Sequence, residues 1–213
     1  MRPDVSRRFL VLHGVENWRP REHWQWWLTR ELRERGEQVL YPQLPSPSSP
    51  ALDEWLAVLH GELAQLGDGE RIVVAHSCSV ALWLLAAPDV GADERVDRIV
   101  LVAPPGPSAF VAPYRAFLPV RIDGSAVARA SRQRPIVLTS DNDPYCPEGF
   151  DAYKAIYTEA LGLDHHVIPG AGHLTIEDGY GPWPDMLAWC LDGTNDWPPE
   201  PMRQSVAAPP REM

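Results

Sequence analysis

Short uninterrupted runs of apolar residues recur along most of the chain, with helix-like stretches between them. Such runs are typical of strands that are covered on both faces of a sheet. They predict strands at 8–13, 39–41, 72–75, 99–103, 135–139 and 166–168. Apolar residues at helical spacing, bounded by serine, proline or glycine signals, predict helices between these strands. The helices are expected at 24–35, 50–66, 78–87, 150–161 and 186–191, with Ser49 as the N-cap of the second.

This alternation of strand and helix predicts an α/β fold. We expect a three-layer α/β/α sandwich with a mostly parallel sheet of about six strands. The proline-rich segment 104–134 is the least regular interior stretch and is too short for a substantial cap. Residues 1–193 are therefore predicted to form a single domain. Residues 194–213 are rich in proline and poor in apolar residues, which predicts a flexible tail.

Charge, cysteine content and the N-terminal residues argue against several kinds of partner, site and location. The net charge is −10 and no basic stripe is present, which argues against nucleic acid or an anionic membrane as partner. The three cysteines are far apart, which argues against a disulfide framework and a zinc site. The N-terminal apolar run is too short for a signal peptide or a membrane span. A cytoplasmic location is expected.

The stretch 72–82 carries the strongest chemical signal. A β-branched apolar run ends at Ser77, and a helix-like run follows immediately. This order is typical of the nucleophile elbow Gly-x-Ser-x-Gly, in which a sharp turn between strand and helix exposes the serine. Here Ala75 and Ser79 replace the two glycines. Both are small, and we expect a slightly wider turn that still holds Ser77 in a strained conformation.

Other reactive residues stand at the ends of further predicted strands, and in parallel sheets active residues gather at these carboxyl ends. Ser77, Asp143 and His173 follow one another in the chain order of an α/β-hydrolase triad. A serine hydroxyl needs a base, which His173 supplies, and a carboxylate must fix the histidine tautomer. Asp143 is favoured because Pro144 keeps its backbone extended; Asp141 is the alternative.

The supporting residues follow from the same arrangement. The backbone N–H of Cys78 is one candidate oxyanion donor, and the second is expected from Val15 or Glu16 after the first strand. The Cys78 side chain is rejected as nucleophile because it lies one residue past the elbow. We expect His76 to be a packing residue and His23 to lie at the surface, with a position lining the site as the alternative for His23. Candidates for the pocket wall, for each of which core packing is an equal alternative, are Trp18, Phe110, Tyr114, Phe117 and Tyr145.

Taken together, residues 8–191 resemble the small single-domain serine hydrolases of the YdeN and retinoblastoma-binding-protein type, within the α/β-hydrolase superfamily. The resemblance is carried by motifs at 11–14, 17–24, 40–45, 74–77, 140–147 and 170–173. It implies Ser77 as nucleophile, Asp143 as acid and His173 as base, with little or no cap domain. The chain departs from the family at 78–80, where relatives usually have a glycine in or near the elbow.

These inferences predict a serine hydrolase that cleaves a small or medium ester, thioester or amide through an acyl-enzyme, without a cofactor or metal. Two alternatives use the same fold. One is an acyltransferase with the same triad. The other is a protein-binding module that engages a protein partner through the Pro-rich tail, since polyproline segments are common ligands. The residues do not identify the acyl group or the leaving group.

Overall fold

A single parallel sheet organises the protein. The computed structural model describes residues 6–119 and 122–193, so the predicted tail at 194–213 lies outside the described residues. The sheet has six strands in the order β2-β1-β3-β4-β5-β6, and every neighbouring pair is parallel. The strands are β1 (Arg7–Leu12), β2 (Gln38–Leu40), β3 (Glu70–His76), β4 (Arg98–Val102), β5 (Ile136–Ser140) and β6 (Asp164–Ile168).

Helices cover both faces of this sheet, which confirms the predicted three-layer α/β/α architecture. They are α1 (Trp24–Glu34), α2 (Leu52–Gln65), α3 (Cys78–Ala86), α4 (Gly124–Ala130), α5 (Phe150–Tyr153) and α6 (Pro184–Asp192). The stretch Lys154–Ala160 continues α5 as a π-helix. Within the described residues, no helix is long and apolar enough to cross a membrane.

Two apolar cores form because alternate residues of each buried strand point to opposite faces. In β1, Phe9 and Val11 pack with α1 and α6, whereas Leu10 and Leu12 pack with α2 and α3. All four of these side chains are completely buried. The first core includes an edge-to-face contact between Trp24 and Trp183, which ties α1 to α6 with ring centroids 5.1 Å apart.

Some local predictions were wrong at the level of one or two residues. Ser49 does not cap α2: its N–H donates to the carbonyl of Ser46 in a preceding turn, and Ala51 is the N-cap residue. The irregular segment after β4 contains two short 3₁₀ turns at Pro107–Ala109 and Tyr114–Phe117 before α4 begins. No periodic pattern of apolar residues predicted α4, which has only seven residues.

Candidate active site

Ser77 stands on a strained turn at the carboxyl edge of the sheet. β3 lies between β1 and β4, and the turn from β3 into α3 is a single residue, Ser77. Its backbone has φ 57° and ψ −127°, a conformation that non-glycine residues rarely adopt. The Ser77 N–H donates to the carbonyl of Val102 at 2.9 Å, which holds the turn against β4. The predicted strain is therefore present at this residue.

Close packing around the elbow explains the small residues there. Gly14 lies directly against the serine, since a Cβ at this position would be 2.7 Å from Ser77 Cβ and 3.0 Å from Ser77 Oγ. Ser79, which replaces the second motif glycine, is completely buried, and its hydroxyl donates to the carbonyl of His13. The elbow helix and the loop after β1 are thus fixed to each other.

A continuous hydrogen-bonded chain joins the three residues that the sequence singled out. Ser77 Oγ is 2.8 Å from His173 Nε2. His173 Nδ1 is 2.8 Å from Asp143 Oδ2 and 3.0 Å from Asp143 Oδ1. The carboxylate can only accept from Nδ1, so the neutral imidazole carries its proton there and presents Nε2 as the acceptor for the serine hydroxyl. All three residues are buried.

The carboxylate of Asp143 is held in place by further donors. Oδ1 accepts from the N–H of Tyr145 at 2.8 Å, and Oδ2 accepts from the hydroxyl of Tyr153 at 3.2 Å. The ring of Tyr145 also packs on the imidazole of His173, with centroids 4.4 Å apart. Asp141, the alternative acid, has a different partner: its carboxylate accepts the N–H of Gly170 at 2.6 Å.

The loop that carries His173 is held by hydrogen bonds to side chains and not by regular secondary structure. Four consecutive amides each donate to a side-chain oxygen. The pairs are Gly170 with Asp141 Oδ1 (2.6 Å), Ala171 with Ser140 Oγ (2.8 Å), Gly172 with Asn142 Oδ1 (2.7 Å) and His173 with Asp178 Oδ2 (2.9 Å). We call these four acceptors the loop clasp. Three of them follow one another along the chain at the end of β5.

Asp178 binds the loop at more than one residue. Its Oδ2 also accepts from the N–H of Thr175 at 3.1 Å and from the Thr175 hydroxyl at 2.9 Å. The carboxylate lies directly over Gly172, where an added Cβ would be 1.9 Å from Asp178 Oδ1. The backbone of Gly172 has φ 60°, so both its conformation and the close approach require glycine. Sequence reasoning missed Asp178, Ser140 and Asn142.

Two further histidines lie beside the site in uncharged form. His76 Nε2 is 3.0 Å from the carbonyl of His173, so its N–H supports the same loop, as expected of a packing residue. Burial, with the neighbouring His173 and His23, holds the pKa of His76 well below its usual value. His23 is buried rather than at the surface, because its Nδ1 caps α1 by accepting from the N–H of Gln25. Burial lowers the pKa of His23 to about 3.

His13 organises the loop after β1. Its Nε2 accepts the N–H of Leu44 at 2.9 Å, and its Nδ1–H donates to the carbonyl of Gly14 at 2.7 Å. Burial is the main reason that its pKa falls to about 4. A neutral imidazole with one donor and one acceptor is the form that both contacts require.

Of the three backbone amides predicted as candidate oxyanion donors, two are available in the structure. The amide of Glu16 is already engaged, since it donates to the carbonyl of Pro47 at 2.8 Å. The prediction that allowed Glu16 in this role was therefore wrong. For the amides of Val15 and Cys78, no acceptor is found among the described residues. Cys78 begins α3, so its N–H lacks a partner within the helix, and the helix dipole adds positive potential there.

A cavity of about 660 Å³ opens beside Ser77 and His173. Of the predicted wall residues, Phe110, Tyr114 and Tyr145 line it. The other two lie elsewhere. Phe117 is completely buried in the core beneath α2, with its ring edge-to-face on Trp55, and Trp18 is 64% exposed next to the lining residue Asn17.

His23, for which lining the site was the alternative to a surface position, lines the cavity. Ile176, Glu177 and Asp178 also line it and were not predicted from the sequence. Burial raises the pKa of the Cys78 thiol, which also lines the cavity, in agreement with its rejection as the nucleophile. Within the described residues, no group of three or more His, Cys, Asp or Glu side chains is arranged to hold a metal ion.

The chain matches known proteins over most of its length. A protein-family model described as serine hydrolase matches residues 9–190. The ydeN gene product of B. subtilis has a TM-score of 0.72 at 20% identity, with 87% of this chain and 98% of that chain covered. A YdeN-like hydrolase from Pectobacterium atrosepticum has a TM-score of 0.67 at 21% identity, with 87% and 90% covered. No curated protein sequence matches the chain.

A further solved structure also shares the fold. Est1E from Butyrivibrio proteoclasticus has a TM-score of 0.57 at 16% identity, with 80% of this chain and 81% of that chain covered. Identities this low show the fold alone. The α/β-hydrolase fold and the resemblance to YdeN-type proteins, both expected from the sequence, are confirmed.

Proposed function

This chain belongs to the serine hydrolase family, and we propose that it cleaves a small or medium ester, thioester or amide through an acyl-enzyme formed on Ser77. The observation that carries the proposal is the hydrogen-bonded chain from Ser77 through His173 to Asp143, located beside a cavity of about 660 Å³. The nucleophile, the base and the orienting carboxylate are each within hydrogen-bond reach of the next.

In the first half of the reaction, Ser77 Oγ attacks the carbonyl carbon of the substrate while His173 Nε2 takes the hydroxyl proton. Asp143 stabilises the resulting imidazolium through its contacts with Nδ1. Collapse of the tetrahedral intermediate breaks the bond to the leaving group. The leaving alcohol, thiol or amine receives the proton from Nε2, and the acyl group remains on Ser77.

The negative charge that develops on the carbonyl oxygen needs donors that are already in position. We assign this role to the amides of Val15 and Cys78. Two contacts support the assignment, because they fix the segments that carry these amides. Ser79 Oγ donates to the carbonyl of His13, and His13 Nδ1–H donates to the carbonyl of Gly14.

In the second half, water takes the place of the leaving group. His173 Nε2 removes a proton from the water as the hydroxide adds to the acyl carbonyl. The intermediate then breaks its bond to Ser77 Oγ, which takes the proton back from Nε2, and the carboxylic acid is released. An alcohol in place of water would give acyl transfer by the same steps. Product analysis with an added alcohol acceptor distinguishes the two outcomes.

Covalent labelling with a fluorophosphonate tests the proposal. The wild type should gain the mass of one phosphonate group on Ser77, and Ser77→Ala should gain none. Ser108→Ala is a matched control, because Ser108 is exposed on the neighbouring 3₁₀ turn and its side chain should not react. A folded wild type that remains unlabelled would overturn the proposal, as would labelling that persists in Ser77→Ala.

A further inference from the structure

Charge on the cavity wall bears on which substrates the site accepts, an inference that rests on the proposed function. Glu16, Glu177 and Asp178 contribute three carboxylates to the lining, and no lysine or arginine lines the cavity among the described residues. We propose that the site selects apolar esters that carry no negative charge, and that a positive charge on the substrate accelerates the reaction.

Two of these carboxylates retain negative charge that neighbouring residues do not neutralise. Glu16 accepts a hydrogen bond from the hydroxyl of Tyr114 at 2.9 Å, and this donor is a neutral group. Glu177 is exposed and has no hydrogen-bond or ion-pair partner among the described residues. Each carboxylate therefore faces the cavity or its mouth as a net negative charge. Asp178 adds a third charge, although its Oδ2 holds the His173 loop.

Three arginines stand next to lining residues in the sequence. Arg115, which follows Tyr114, is exposed and does not line the cavity, and the other two are engaged by other groups. Arg19 donates to the carbonyl of Tyr41 at 2.5 Å and to Gln43 Oε1 at 3.1 Å. The guanidinium of Arg21 lies over the ring of Trp26, 5.9 Å from its centroid. Neither side chain lines the cavity. Inside the cavity, an anionic group on the substrate would therefore meet carboxylates and no cation among the lining residues that the structure describes.

The rest of the wall favours an apolar substrate. Phe110, Tyr114, Tyr145 and Ile176 line the cavity with large side chains. The apolar surface extends to the mouth, since Val111 and Tyr145 both line the cavity and are 61% and 52% exposed. These side chains can cover an acyl chain or an alkyl leaving group and remove it from water.

Three fluorophosphonates of equal chain length test the inference directly on Ser77. Their tails end in a methyl, a carboxylate or a trimethylammonium group. We measure the second-order rate constant of labelling by intact mass and divide it by the rate of each probe's reaction with hydroxide. Each uncompensated carboxylate is expected to change the rate by roughly two- to fivefold. For the two uncompensated carboxylates together, the methyl probe should therefore react roughly 4- to 25-fold faster than the carboxylate probe, and the trimethylammonium probe fastest of all.

The double variant Glu16→Gln/Glu177→Gln should bring the three normalised rates closer together, since both changes remove charge and preserve shape. Glu54→Gln, an exposed position on α2 that does not line the cavity, should leave the ratios unchanged. Equal or faster labelling by the carboxylate probe in the wild type would overturn the charge inference alone. Ratios that persist in the double variant would overturn its assignment to these two residues. Failure of all three probes to label Ser77 would instead overturn the proposed function.

Discussion

Replacing Asp178 by alanine is the most direct test of how the His173 loop is held. Asp178 does not contact the reacting serine, so we describe it as a positioning residue. Its Oδ2 accepts from the backbone N–H of His173 at 2.9 Å, from the N–H of Thr175 at 3.1 Å and from the Thr175 hydroxyl at 2.9 Å. Alanine removes all three contacts and opens space above Gly172.

The size of the effect follows from these contacts. Hydrogen bonds to a charged acceptor contribute about 1.5–3 kcal/mol each, and partial exposure of Asp178 and Thr175 lets water replace part of this. A net loss of roughly 2–4 kcal/mol is expected, which lowers Tm by roughly 5–15 °C for a domain of this size. Displacement of the His173 imidazole by about 1 Å can lower the rate of the chemical step by up to roughly 100-fold. We therefore expect kcat to fall by roughly 10- to 100-fold, with a smaller change in KM.

The assay compares three variants for hydrolysis of 4-nitrophenyl butyrate, well below the Tm of each, together with thermal unfolding. Asp178→Asn retains an acceptor without the charge and should recover part of the lost kcat. Asp141→Ala removes one hydrogen bond, which the N–H of Gly170 donates to the exposed Asp141 carboxylate. Because Gly170 lies three residues before His173, this variant should lose less than about threefold in kcat.

The losses of kcat and Tm in these variants show whether Asp178 positions His173. If Asp178→Ala lowers Tm as expected but keeps kcat within twofold of the wild type, the carboxylate stabilises the loop without positioning His173. If Asp141→Ala loses as much kcat as Asp178→Ala, the loss of kcat does not depend on how many hydrogen bonds are removed or on how far they lie from His173 along the chain. Either result would refute the reasoning.

Two other changes test the packing and the titration around the site. Gly14→Ala should reduce fluorophosphonate labelling by at least about 100-fold with the fold retained, because the new Cβ would be 2.7 Å from Ser77 Cβ. Its control is Gly61→Ala inside α2, which has no heavy atom within 4 Å of the added Cβ and should stabilise the protein by about 1 kcal/mol. His23 has a pKa of about 3 in the folded protein and a usual value of 6.5, so protonation of the unfolded chain should cost about 2–3 kcal/mol of stability as pH falls from 7.5 to 4.5. His23→Asn keeps a side-chain cap on α1 but does not titrate. In urea unfolding at both pH values, this variant should lose about 2–3 kcal/mol less stability than the wild type as the pH falls. An unchanged pH dependence would contradict the assignment.

The fold and the three central site residues could be predicted because their signals are local. Apolar runs identify buried strands, and parallel strands bring their carboxyl ends to one edge. Ser77, Asp143 and His173 each follow such a run, so their proximity was predictable without knowledge of any distance. The choice of Asp143 over Asp141 rested on Pro144, and the structure places Asp143 against His173 and Asp141 against Gly170.

What could not be predicted depends on contacts between distant segments. Asp178 lies in a polar stretch without periodicity, and its role exists only because the loop folds back over Gly172. Phe117 and Trp18 are both large aromatic residues near the site in sequence, yet one is buried against Trp55 and the other is exposed. Hydrophobicity alone does not distinguish these positions. Glu16 is a similar case, since its amide was assigned a role without knowledge that Pro47 would accept from it.

The unusual elbow of this chain has a physical explanation in these same contacts. Glycines at the elbow normally leave room for the close approach of neighbouring backbone. Here Ala75 and Ser79 fit, and both are completely buried. Gly14 lies so close to Ser77 that an added Cβ would be 2.7 Å from Ser77 Cβ. Ser79 adds what glycine lacks, a hydroxyl that binds the carbonyl of His13 and so joins α3 to the loop after β1. The two candidate oxyanion amides lie on the segments that this hydrogen bond connects. Serine in place of the second motif glycine therefore stabilises the part of the site that must be rigid for the proposed chemistry.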